Sequence, residues 1–329
     1  MAKKKEKYIV GIGAANVDVY AKSNIKIRDH YDHPSIIKTT AGGVTRNILE
    51  NASKLGVKTK LLTAVGDDIY GKLVIDSCIK ANIDVKNVLT VKNGRTGIFM
   101  QVQDKNNDMH IALCDMSISK NINIKYLVSN EKILKRASAI VLDPSLEIDV
   151  IEFILKEYSK VPVFVDPISD LYAKKIKPYL NKIYCIKPNR SELQVLSGIK
   201  IKTNSDTLKA FNKLYNYIDK LFVSAGRNGC VYENENNQII MRKFKPVKKM
   251  ANASGAGDAL MAAILYGYIN DLDVEKTIDY ALAAGICAIQ DEHTINPNLS
   301  IKLLRKIIKE NKLWTTKITY QSHPKFKKR

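Results

Sequence analysis

The sequence predicts an α/β fold: a mostly parallel central sheet flanked by helices, with a small β-sheet inserted as a lid. Three observations predict it. Short apolar runs rich in β-branched residues recur along the chain, each closed by Pro, Gly, Asp or Asn. Helical patterns lie between them, which is the order a parallel sheet requires, because parallel strands need crossover connections. Two segments break this alternation and carry no helical period of their own.

YIVGIGAAN (residues 8–16) reads as the first strand. TRNILENASKLG reads as a helix closed by Gly56, TKLLTAVG as a strand, and IYGKLVIDSCIKAN as a helix. AIVLD, VPVFVDP, KIYCIKPN and KLFVSAG are further strands, and CVYEN follows the last of them across a turn. The interrupting segments are residues 17–41, which are polar, and residues 96–113, TGIFMQVQDKNNDMHIAL. The second reads as a hairpin around a polar turn at 104–108, and a hairpin cannot easily join a parallel sheet. Together they are expected to form a lid over the carboxyl ends of the strands, where ligands of open α/β sheets bind. The expected division is a main domain of residues 5–16, 42–95 and 114–313, a lid of 17–41 and 96–113, and a poorly ordered basic tail of 314–329.

Composition excludes several classes. With 329 residues, 45% of them hydrophobic, the chain can bury a large core and is not a disordered segment. The net charge of +20 comes mostly from scattered lysines, dense only in KKKEK (residues 3–7) and KFKKR (residues 325–329). Aromatics are only 7%, too few for a basic stripe interleaved with stacking side chains, so no specific nucleic-acid partner is expected. A polyanion-binding protein on an inactive scaffold is the non-enzymatic alternative that the charge motivates. Cys78, Cys114, Cys185, Cys230 and Cys287 contain no C-x-x-C pair, so neither a disulfide frame nor a zinc site is suggested. Reduced thiols and a cytoplasmic location are expected. No run approaches the roughly 20 apolar residues of a membrane span. The phosphate loop G-x-x-x-x-G-K-[ST] and the nucleophile elbow G-x-S-x-G are both absent, and GIGAAN lacks the third glycine of a dinucleotide fingerprint.

NASGAGDALMAAILYGY (residues 252–268) carries the most chemistry. Ser254 is a suitable N-cap, which makes Gly255, Ala256 and Gly257 the first turn of a helix. Their amides have no intrahelical partners and point outward with the positive end of the helix dipole behind them. That is an anion site suited to charge developing on a transferring phosphoryl group. Asp258 stands beside it. A carboxylate repels a statically bound phosphate, but it has a purpose if it takes the proton of an attacking hydroxyl. Other stretches are weaker alone. Asn16 and Asp18 share one face of an extended strand end. Gly42 and Gly43 before Asn47 allow close approach of a ligand, and the Asn47 amide can bind hydroxyls, while Arg46 is left open between an anion contact and solvent. In KPNRSE, Asn189 and Glu192 face one way on a helical turn. They read equally as a capping box and as a site where Glu192 holds Mg²⁺ through waters. Ser224, Gly226 and Gly229 in SAGRNG suit a nucleotide passing close to the backbone, or a tight turn.

Taken in this order, these stretches resemble the ribokinase-like (PfkB) family of carbohydrate and nucleoside kinases over nearly the whole chain. The resemblance implies a phosphotransferase using ATP and Mg²⁺, with Asp258 as base and Gly255, Ala256 and Gly257 as the anion hole. Asn16, Asp18, Gly42, Gly43 and Asn47 are implied to bind sugar hydroxyls, Thr96 in the lid to line the substrate pocket, Asn189 and Glu192 to organise Mg²⁺ and phosphate, and Ser224 to Gly229 to form the ATP-side loop. AGGVTRNI, AVGDDIYG, CDMSIS, VPVFVDPIS, KPNRSELQVLSG and NPNLSI are similar to members that phosphorylate the 5′-hydroxyl of pseudouridine. Another nucleoside or a free sugar is the alternative substrate, and the resemblance implies a homodimer through the lid. Asn252 stands where many members carry an acid beside a monovalent cation, so a formal charge is lost there and K⁺ dependence is not expected.

Overall fold

A computed structural model describes residues 6–105, 109–247, 250–251, 254–311 and 316–320. Its centre is a seven-stranded parallel sheet. In spatial order the strands are Lys220–Leu221, Cys185–Ile186, Val163–Val165, Ala139–Leu142, Ile9–Ile12, Thr59–Leu62 and Ile83–Asp84. Side chains alternate across it. Val10, Ile12, Ile140, Leu142 and Val163 enter one buried cluster, and Ile9, Leu61, Val141 and Phe164 enter the other. Both faces are therefore apolar, which explains why the strands read as continuous hydrophobic runs.

Residues 8–16 do not form one strand. The main-sheet strand ends at Ile12, and a second strand, Asn16–Ser23, starts after a short break. That second strand belongs to a separate four-stranded sheet, in the order Ser35–Gly42, Asn16–Ser23, Ile98–Gln103 and Met109–Asp115. Residues 17–41 thus supply two antiparallel strands of this small sheet, and its last strand runs on to Asp115. The small sheet is rooted where the first main strand ends, so it rises from the carboxyl edge of the main sheet.

A third sheet, Val223–Ser224, Cys230–Glu233, Ile239–Lys243 and Thr316–Tyr320, is antiparallel. Its last strand corrects the expectation of an unstructured tail from residue 314. TKITY carries three β-branched or aromatic residues at alternate positions, a strand pattern, and it pairs with an edge that would otherwise be open. The rest of the tail lies outside the described residues.

The helix Ala256–Ile269 is apolar on nearly every side, and nine of its residues are buried. It is wedged between the helices Val44–Lys54 and Val274–Ile289, which is the place for a helix without a polar face. All five cysteines are unpaired, and only Cys114, on the small sheet, is exposed. Among the described residues no helix is long and apolar enough to cross a membrane, and no cluster of three or more His, Cys, Asp or Glu side chains could hold a metal ion.

Candidate active site

Polar residues follow the buried strands at their carboxyl ends. Asp143 comes after Leu142, Asp166 after Val165, Lys187 after Ile186, and Asn16 shortly after Ile12. Asp166, Lys187, Asn189 and Glu192 line a cavity of about 260 Å³, together with Ser224, Gly257 and Asp258. Five residues singled out in the sequence, from three separate stretches, thus meet in one place.

Asp258 is 8% exposed. Its Oδ2 accepts a hydrogen bond from the Asn47 amide at 3.0 Å. Burial, reinforced by the negative charge of Asp166, pushes its carboxyl up to about 7, against the opposing pull of the Asn47 hydrogen bond and the Lys187 charge. A carboxyl held there is poised to exchange a proton near neutral pH. Asn16 and Asp18 also meet: the Asn16 amide donates to Asp18 Oδ1 at 2.7 Å, and the Tyr20 hydroxyl approaches Asp18 Oδ2 at 3.3 Å. Burial raises the Asp18 carboxyl too. Gly42 lies directly against this carboxylate, since a Cβ there would stand 2.3 Å from it. Gly43 caps the helix Val44–Lys54 at φ 97°, a left-handed conformation that disfavours any side chain.

The opening of the helix Ala256–Ile269 differs from the sequence reading. The cap is Gly255 at φ 78°, not Ser254, and no side chain bonds to the cap. A Cβ at Gly255 would stand 1.9 Å from the Thr294 carbonyl oxygen, so the 291–295 loop forces the left-handed turn. Gly257 has room: a Cβ there would meet only Lys187 Nζ at 3.4 Å and Asp166 Oδ2 at 3.8 Å. Asn252 lies outside the described residues.

Beside Gly257, Lys187 Nζ is paired with Asp166 Oδ2 at 2.9 Å, both groups nearly buried. In the sequence Asp166 stands only among the residues that close a strand, and Lys187 only within the run KIYCIKPN. A charged residue one step past a buried strand, twice at the same sheet edge, was the available signal. Asn189 and Glu192 form a full capping box: the Asn189 side chain accepts from Glu192 N at 3.0 Å, and Glu192 Oε2 accepts from Asn189 N at 2.8 Å. Glu192 still faces the cavity with its other oxygen to offer. Burial and then the charge of Asp166 push it up to about 7, a carboxyl that a cation would return to its ionised form. The donor set of Glu192 and Asn189 beside a cavity with an ammonium and an uncovered glycine suits a Mg²⁺-bound polyphosphate.

Three further residues sit differently. The Thr96 hydroxyl is engaged at the root of the small sheet: it donates to Asp68 Oδ1 at 2.6 Å and accepts from Gly66 N at 2.9 Å. Gly229 turns the chain against the Arg242 carbonyl, 2.0 Å from where its Cβ would be, while Gly226 at φ 57° has open space around it.

The model of the pfkB family of carbohydrate kinases matches residues 6–301. The chain is 33% identical to the pseudouridine kinase of Escherichia coli strain K12 over 300 residues, covering 91% of this chain and 95% of the relative. Among solved structures it is similar to a carbohydrate kinase from Agrobacterium tumefaciens, with a TM-score of 0.80 at 20% identity over 95% of this chain and 100% of that one. It is also similar to Arabidopsis thaliana ribokinase complexed with ribose and ATP, with a TM-score of 0.79 at 21% identity over 92% and 99%. The chain belongs to the pfkB family of carbohydrate kinases.

Proposed function

We infer that the protein is an ATP- and Mg²⁺-dependent kinase that phosphorylates the 5′-hydroxyl of pseudouridine. The observation that carries the reaction type is Asp258: a buried carboxyl near pH 7, beside a helix opening of bare backbone, in a cavity that an ammonium also lines. The substrate rests on the likeness to a pseudouridine kinase at 33% identity over 91% of the chain.

Asp18, Asn16 and Asn47 hold the sugar hydroxyls of the acceptor against Gly42 and Gly43. Asp258 takes the proton as the acceptor O–H bond breaks. ATP with Mg²⁺ supplies the γ-phosphoryl group and spreads its charge. The amides of Gly255, Ala256 and Gly257 face the developing negative charge, which they match better than they match the ground state. Glu192 and Asn189 would hold the metal and phosphates, and Ser224, Gly226 and Gly229 would run beside the nucleotide. The small sheet of residues 17–41 and 96–113 acts as the lid, keeping water from the phosphoryl group. Thr96, bonded to Asp68, fixes the root of that lid beside the acceptor pocket. Ile37, Met100, Ile111 and Leu113 share its other face and are exposed, which supports a second copy of the chain as a partner through the lid. The proposed setting is the cytoplasm.

A coupled ADP assay over pseudouridine, uridine, adenosine and ribose tests the substrate. Pseudouridine is expected to exceed the others in kcat/KM by at least ~10-fold, the scale of one well-placed polar contact. Faster turnover of ribose or adenosine replaces the substrate and leaves the reaction type standing.

A further inference from the structure

Arg46, which the sequence leaves open between an anion contact and solvent, is 4% exposed on the helix Val44–Lys54. Its Nη1 donates to Asn47 Oδ1 at 3.0 Å and to the Ala41 carbonyl at 3.2 Å. Its Nη2 donates to Ser77 Oγ at 2.7 Å and is paired with Glu50. One guanidinium thus joins the end of a small-sheet strand, the helix that carries Asn47, and the neighbouring helix Ile69–Lys80.

A guanidinium has donors and no acceptor. The end of the Asn47 amide that faces it must therefore be the oxygen. The NH₂ end is then turned the other way, where it meets Asp258 Oδ2 at 3.0 Å. That NH₂ also has only donors, so the oxygen it meets must accept, a role the unprotonated oxygen of the carboxyl fills best. We propose that Arg46 is a positioning residue for phosphoryl transfer: by fixing which way the Asn47 amide points, it keeps Asp258 Oδ2 an acceptor and reserves the other carboxylate oxygen for the proton of the acceptor hydroxyl. The inference rests on Asp258 being the base.

The groups facing Asp258 come from several elements. Asp166 and Lys187 stand at the main-sheet edge, Asp18 and Tyr20 on the small sheet, and Asn47 on its helix. Asp166 and Asp18 favour the protonated form; Lys187 and the Asn47 donor favour the ionised one. Loss of the donor alone therefore moves the Asp258 titration upward in pH.

The test is ¹³C NMR titration of the Asp258 carboxyl, assigned by its absence in Asp258→Asn, in wild type, Asn47→Leu, Arg46→Met/Glu50→Gln, and the triple combination. The Glu50 change avoids leaving an unpaired carboxylate. Asn47→Leu and Arg46→Met/Glu50→Gln are each expected to raise the midpoint by about 1–2 units, the worth of one hydrogen bond to the charged form. The triple variant is expected to show no further rise, because both changes remove the same contact. The acid limb of kcat/KM, measured with the best acceptor of the panel above, should move by the same amount. An unmoved midpoint in Arg46→Met/Glu50→Gln, or shifts that add, overturns the proposal. If that variant does not fold, Arg46→Lys decides: an ammonium still has only donors, so its midpoint should stay at the wild-type value, and a rise equal to that of Asn47→Leu overturns the proposal. Full activity of Asp258→Asn would instead remove the base reading itself, an outcome the titration does not share.

Discussion

Carboxylates in and around the cavity are held by two different means. Asp18 and Asp258 are met by neutral amides, those of Asn16 and Asn47. Asp166 is met by a full charge, the Lys187 ammonium, at 2.9 Å. A neutral donor steadies a carboxylate and leaves it able to take a proton, whereas a cation at contact opposes protonation more strongly. On the proposed reading the amide-held carboxylates therefore handle protons and hydroxyls, whereas the Lys187–Asp166 ion pair stands beside Gly257, where the phosphates approach.

The largest effect should come from removing the proton acceptor. Asp258→Asn is expected to lower kcat by about 10²–10⁴-fold in the ADP assay while retaining the wild-type circular dichroism spectrum. The same variant sharpens the comparison through pH. Burial holds the Asp258 carboxyl at about 7, above its ordinary value of 3.8. The folded state therefore binds this proton more tightly than the unfolded chain, and stability is lost as pH rises from near 4 through 7. Asp258→Asn cannot ionise, so it should melt at least ~2 °C above wild type at pH 8 and level with it near pH 4. In wild type, kcat/KM should fall as pH drops below about 7, the value to which Asp258 is raised.

Gly255→Ala comes next. It needs a left-handed residue and places a Cβ 1.9 Å from the Thr294 carbonyl, so the helix opening must shift. A loss of roughly 10²-fold in kcat, with the acceptor KM little changed, is expected from misplaced amides. A parallel rise in acceptor KM would mean that acceptor binding and charge stabilisation are not separate. Asp18→Asn should have the smallest effect, a rise of ~10-fold in acceptor KM with kcat nearly unchanged, because it removes binding common to ground and transition states.

The main sheet was legible because a strand buried on both faces is a continuous apolar run, as in AIVL and VFV. The acids and amides of the acceptor side were legible because they follow small residues that bare the backbone. What was hidden depended on distant chain. Ser254 looks like a cap in isolation, but the Thr294 carbonyl forces the turn at Gly255. Thr316–Tyr320 becomes a strand only because Ile239–Lys243 offers an edge. Lys187 and Asp166 become a pair only when the crossover between them brings neighbouring strands into register. Arg46 could be placed only once the helix Ile69–Lys80 had brought Ser77 beside it.

The arrangement of thiols supplies a handle for spectroscopy. Cys78, Cys185, Cys230 and Cys287 are buried, and burial pushes each of these thiols up, which keeps them from forming the reactive thiolate. Burial and the charge of Asp115 push the Cys114 thiol up as well, so its exposure is what sets it apart, in the same cross-strand row as Phe99 and Asp18. A maleimide dye added in mild alkali to the native chain would therefore attach at one point, on the sheet that carries Asp18, the carboxylate proposed to bind the acceptor. Opening and closing of that sheet could then be followed by fluorescence without engineering a single residue.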